Sequence, residues 1–100
     1  MESIVYERIL RQMKEKIRRR QYIMTLHAEE EMEDDQLSIF DIERAILTGN
    51  ITERQQDHQT SEWKYLVLGQ SVHGIEITVV GKLSVTDKLV IITVYREDIA

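Results

Sequence analysis

Apolar residues recur along this chain in two rhythms, and the change between them falls near residue 50. Before it, Tyr6, Leu10, Met13 and Ile17 stand at 4-3-4 spacing with Ile9 beside them, and charged residues fill the positions between. That is the stripe of an amphipathic helix, and it predicts one over residues 2–20. Tyr22-Ile23-Met24 is a short apolar run that reads as extended. Thr25 then serves as a cap for a second helix, whose first turns carry Glu29, Glu30 and Glu31 and which ends at Asp34 and Asp35. Ser38-x-x-Asp41 has the form of a short-armed capping box, with Ile39, Ile42, Ile46 and Leu47 as the stripe behind it. Gly49-Asn50 closes this third helix, glycine being the usual residue past a helix end.

From there the rhythm shortens to two. Residues 62–69, 75–83 and 88–96 are rich in β-branched and aromatic side chains, and the links 71–74 and 84–87 are short. They read as consecutive antiparallel hairpins, with 51–55 as an added edge strand in front. The expected class is α+β, with N-terminal helices packed on one face of a three- to four-stranded antiparallel sheet. One domain covers 1–100, helical over 1–49 and sheet over 51–96.

Alternation gives each strand two lists. Trp63, Tyr65 and Val67 oppose Lys64, Leu66 and Leu68; Ile75, Ile77, Val79 and Leu83 oppose Glu76, Thr78, Val80 and Lys82. In the last strand Val90, Ile92 and Val94 form the apolar list, against Leu89, Ile91, Thr93 and Tyr95. The face left open by the helices then collects Lys64, Thr78, Lys82, Thr93 and Tyr95. Lysines and a tyrosine on an open face suit a phosphodiester: cations hold the phosphate and a ring stacks on a base. An ordinary solvated face is the competing reading.

Composition narrows this only a little. A chain of 100 residues makes one domain, and 42% hydrophobic with 31% charged residues is ordinary for a globular protein. Without cysteine there is neither a disulfide framework nor a thiolate zinc site. MESIVYERIL puts acids and an arginine where a signal peptide needs an apolar core, and no apolar run approaches membrane-spanning length, so the cytoplasm is the expected compartment and no membrane is expected as partner. A net charge of −5 argues against non-specific coating of nucleic acid. The charge is unevenly spread. Residues 1–20 carry a net +4, residues 21–62 a net −9 and residues 63–100 a net zero, which suits recognition of a partner or an RNA contact on one side.

The run TLHAEEEM (25–32), followed by the helix over 38–49 and strands ending in VIITVY, resembles a small prokaryotic family. It is known only as a domain of unknown function (number 4258) and has an H-A-x-x-R-M signature. The resemblance covers roughly residues 20–96. That family is similar in topology to the RelE/ParE and MqsR toxins of the barnase-like ribonuclease group. The resemblance implies a RelE-like fold and the toxin component of a type II toxin–antitoxin system. It further implies a metal-independent RNA endonuclease, needing no cofactor, held inactive by an MqsA-like zinc-finger antitoxin protein. One position departs: Glu31 stands where the signature has arginine. A phosphate contact made by that arginine would be missing, and Glu29-Glu30-Glu31 would repel an RNA backbone.

RNA cleavage needs a 2′-hydroxyl to lose a proton, a phosphate charge to be stabilised and a leaving oxygen to be protonated. His27 is the candidate acid or base, Lys64 and Lys82 the phosphate-holding cations, Tyr95 a stacking or proton-donating group, and Arg96 a further cation near the same strand end. Thus His27, Lys64 and Tyr95 are the catalytic candidates, with Lys82 and Arg96 binding substrate. The plainer account of His27 is a histidine packed against the sheet, its ring bonded to a backbone carbonyl. His27 with Glu30 or Glu31 has metal-ligand spacing, but no second histidine follows, so no metal site is expected. From a different class, the chain is read as a non-catalytic protein-binding module that uses the same sheet face or the acidic helix.

Overall fold

Helix α1 (Glu2–Arg18) buries the stripe that its spacing implies, in a computed structural model that describes residues 2–98. Met13 and Ile17 are enclosed, and Tyr6, Ile9 and Leu10 pack against the same core. The helix stops short of residue 20 because Arg20 takes left-handed backbone, φ 55°. Its amide and that of Gln21 donate back to the carbonyls of Ile17 and Lys16, which satisfies groups a helix end would otherwise leave unpaired. The chain then enters β1 (Tyr22–Met24).

Thr25 caps α2 (Leu26–Asp34), its hydroxyl oxygen accepting from the Ala28 amide at 3.1 Å. A second back-folded end, with Gln36 at φ 57°, leads to α3 (Ile39–Thr48). Here Ser38 and Asp41 form the full reciprocal capping box. Asp41 also accepts from the Val72 amide at 2.9 Å, so one buried carboxylate fixes both a helix start and a distant turn.

The strands β2 (Asn50–Gln56), β3 (Trp63–Gln70), β4 (Glu76–Leu83) and β5 (Leu89–Arg96) form an antiparallel meander. The sheet is larger than the sequence suggests, five-stranded and mixed in the order β1-β5-β4-β3-β2. The expectation of three to four antiparallel strands is corrected by β1, which pairs parallel to β5 through Tyr22 with Leu89 and Met24 with Ile91. Three residues are too few to show a period, and their partner lies at the far end of the chain. The α+β class stands.

Register in β5 also departs from simple alternation. Val80 pairs with Thr93 and Gly81 with Ile91, which leaves Ile92 as an extra residue, a β-bulge. Leu89, Ile91 and Val94 therefore point to the core, whereas Val90, Thr93 and Tyr95 point away. The last strand's two lists are thus reassigned, because one inserted residue reverses the facing of everything beyond it.

Helices α1 and α3 cover the face built by Tyr65, Val67, Ile77, Val79, Leu89, Ile91 and Val94. Contact with α3 is close enough that side chains are excluded at two glycines. A Cβ on Gly69 would lie 1.8 Å from the Ala45 carbonyl oxygen, and one on Gly49 would lie 2.5 Å from it. Gly49 has ordinary extended backbone, φ −94°, so proximity rather than a left-handed helix end demands glycine there.

Helix α2 does not join the other two helices on that face. It runs along the outer edge of β5, past the end of β1. Thr25 donates its amide to Ile91 O and its hydroxyl to Ile92 O; Glu31 then accepts from the Val94 amide and Asp35 from the Arg96 amide, both at 3.2 Å. An edge strand with unpaired N–H groups invites aggregation. Two carboxylates four residues apart close this one. No helix among the described residues is long and apolar enough to cross a membrane.

Candidate functional site: a lysine-lined cleft on the uncovered face

The face opposite α1 and α3 gathers Leu66, Val80 and Thr93 in one cross-strand row and Leu68, Thr78 and Tyr95 in the next. Because Tyr65 pairs with Gly81, Lys64 and Lys82 come next to each other in the row beyond. Like charges directly opposite on a sheet oppose folding. Two carboxylates offset that cost. Glu62 lies 3.1 Å from Lys82 Nζ, and Asp57 closes the other side from the β2–β3 loop.

These four groups line a cleft of about 280 Å³, with Val90 and Ile92 as its apolar floor, Thr25 and Thr60 as its hydroxyls and Trp63 at its rim. The loop is ordered by Asp57, whose Oδ1 accepts from the amides of Gln59 and Thr60. Those two hydrogen bonds, with the charges of Lys64 and Lys82 behind them, hold the Asp57 carboxyl below the usual carboxylate range. Trp63 is backed by Arg54, whose guanidinium carbon sits 4.2 Å from the ring centre, a cation–π contact that steadies the indole. Lys64 makes no ion pair or hydrogen bond among the described side chains, which leaves one ammonium uncommitted in the cleft.

The five residues singled out from the sequence do not all converge here. Lys64 and Lys82 share the cleft. Tyr95 is on the same face but five residues along β5 from Val90, about 16 Å at the usual rise. It lines a separate, acidic depression with Glu31, Asp34 and Asp35. Arg96 pairs with Ile77 on the covered side, and both oxygens of Asp98 hold its guanidinium, at 2.9 and 2.7 Å. His27 projects from α2 with its side chain 67% exposed, Nε2 lying 3.2 Å from Glu31 Oε1. Thr25, not His27, lines the cleft.

Residues 25–32 thus have separate tasks. Thr25 caps, Ala28 is fully enclosed, Met32 packs on the core and Glu31 closes the edge of β5. Arginine at position 31 would have no acceptor to offer the Val94 amide. Of the acid run, Glu29 and Glu30 are exposed while Glu31 is turned to the sheet.

Glu62, Asp57 and Thr60 escaped the sequence reading. Glu62 stands just before β3 and follows Ser61 at φ 61°, so the contact with Lys82 rather than strand alternation sets its direction. The contribution of the loop could not be seen, because it depends on how residues 57–61 fold back. Among the described residues no group of three or more His, Cys, Asp or Glu side chains is placed to hold a metal ion.

No curated protein and no solved structure matches this chain. A family model described as a domain of unknown function (DUF4258) matches residues 24–96, from the last residue of β1 to the end of β5, and so takes in α2, α3, the meander and the cleft. The chain belongs to the DUF4258 family.

Proposed function

We propose that this domain is a metal-independent RNA endonuclease of the toxin type, working on single-stranded RNA at the cleft of the uncovered sheet face. The observation that carries the reading is the juxtaposition of Lys64 and Lys82. Nothing in the packing of the core requires two ammonium groups side by side, and the arrangement opposes folding, as groups assembled for binding or chemistry often do. A phosphodiester between them relieves the repulsion. The apolar floor of Val90 and Ile92 suits a ribose. An MqsA-like antitoxin would act by occluding this cleft.

The test is incubation of purified protein with defined RNAs in the presence of a chelator, beside Lys64→Ala prepared identically. Cleavage by the parent and its loss in the variant is the expected outcome. Cleavage of no RNA would overturn the proposal.

A second reading, a non-catalytic protein-binding module, draws support from one patch. Ile23, 49% exposed, pairs with Val90 beside the cleft, and nearby Leu26 is 71% exposed. An apolar border of this kind is what a protein partner covers. On that reading Leu26→Asp abolishes a complex while no RNA is turned over.

A further inference from the structure

We infer that Glu62 is the general base of the cleft, a role that rests on the ribonuclease reading above and that the sequence signature, centred on His27, does not suggest. Glu62 stands just before β3, where Lys82 on the neighbouring strand holds its Oε1 at 3.1 Å, and it lines the cleft together with Lys64. One carboxylate oxygen is therefore fixed by a cation. Its other oxygen has no hydrogen-bond partner among the described residues and is free to accept a proton. A phosphate gripped by the two lysines lies beside that oxygen.

The other bases nearby are less suited. One oxygen of Asp57 is taken by two backbone amides, and a carboxyl held below its usual range is a weaker base. His27 faces solvent, is engaged with Glu31 and does not line the cleft.

The step balances without an external reagent. Glu62 takes the proton of the ribose 2′-hydroxyl, and the 2′-oxygen bonds to phosphorus to form a 2′,3′-cyclic phosphate. The bond from phosphorus to the 5′-oxygen breaks, and that oxygen leaves with a proton from the Lys64 ammonium. Solvent returns the proton on Glu62 to Lys64, which restores both charges. The substrate is therefore RNA, and a 2′-deoxy sugar at the scissile nucleotide is inert. The cleft, about 280 Å³, takes one nucleotide at a time.

The experiment follows cleavage and binding separately on one labelled RNA and on its counterpart with a single 2′-deoxy substitution, the folded state of each variant being checked by circular dichroism. The parent should leave a cyclic phosphate and spare the deoxy substrate. Glu62→Gln keeps a hydrogen bond to Lys82 and should cut about 10²–10⁴-fold more slowly, the usual worth of a general base, with affinity for the RNA within about threefold. Glu62→Ala should recover part of its rate when formate is added, which a merely structural glutamate would not show. His27→Ala should cleave like the parent. If the parent cleaves and Glu62→Gln keeps pace with it, Glu62 is not the base, although the cleft reading stands where Lys64→Ala is inactive. If His27→Ala alone is inactive, the proton goes to the histidine and the inference is overturned. A parent that cleaves no RNA overturns the ribonuclease reading and this inference with it.

Discussion

The two faces of the sheet are held to opposite standards. On the covered face α3 approaches so closely that the Ala45 carbonyl occupies the space of any side chain at Gly69, and Met13, Ile42, Ile46, Ile77 and Ile91 are wholly enclosed. Each such aliphatic side chain is worth about 1.5–3 kcal/mol when buried. The uncovered face instead brings Lys64 beside Lys82 and, among the described side chains, leaves Lys64 without an ion pair or hydrogen bond. The first face holds the protein folded. The second gives up a little stability to keep charge in place, and chemistry is to be sought there.

The sharpest way to break the contrast is to add one methyl group to the covered face. Gly69→Ala must displace backbone, since its Cβ would meet the Ala45 carbonyl at 1.8 Å. A loss of about 3 kcal/mol or more is expected, seen as a fall of roughly 12–24 °C in Tm. A fall of less than about 4 °C would mean that α3 can lift off β3 cheaply.

Next in size is the closed edge. Glu31→Ala removes the acceptor of the Val94 amide at 3.2 Å. The expected cost is about 1–3 kcal/mol, that of leaving a polar group unsatisfied, together with faster hydrogen exchange at Val94. Glu31→Arg should cost at least as much. An exchange rate at Val94 unchanged in both variants would show that the carboxylate does not guard the edge.

A smaller effect, and one that depends on pH, lies where β1 meets α3. Burial, followed by the hydrogen bond its hydroxyl donates to Glu43, pushes the Tyr22 phenol up from 10.0 to about 12. The folded state favours the protonated phenol, so the contribution is whole below pH 10 and disappears as pH rises through 12. The stability advantage of the parent over Tyr22→Phe, about 1 kcal/mol at neutral pH, should shrink across that window in denaturant titrations. A constant difference would contradict the hydrogen bond.

The smallest effect on stability belongs to the uncovered face. Lys64→Ala should change stability by no more than about 0.5 kcal/mol, in the stabilising direction if relief of the opposition to Lys82 dominates, while RNA cleavage is lost. A large destabilisation would instead make Lys64 part of the scaffold.

Much of this architecture is legible in the chain. The Tyr6–Ile17 stripe, the caps at Thr25 and Ser38 with Asp41, and the alternation in β3 and β4 each appear where spacing puts them. These features depend on residues two to four positions apart, a range over which helix and strand geometry is rigid. Alternation also sufficed to place Lys64 and Lys82 on one face. What it could not place was the bulge at Ile92, which sets Val90 and Tyr95 on one face and turns Arg96 to the other; Tyr95 is far from the lysines because it stands five residues along β5 from Val90.

Local spacing, then, determined the helices, the meander strands and which side chains share a face, because those follow from the repeat of the backbone itself. Tertiary structure alone decided the parallel pairing of β1 with β5, the closeness of Ala45 to Gly69, the edge-closing role of Glu31 and Asp35, and the joining of Asp57 and Glu62 to the two lysines. Each of these depends on a distance between segments remote in the chain. Only packing and hydrogen bonding across the fold set such distances, and no residue carries a local mark of them.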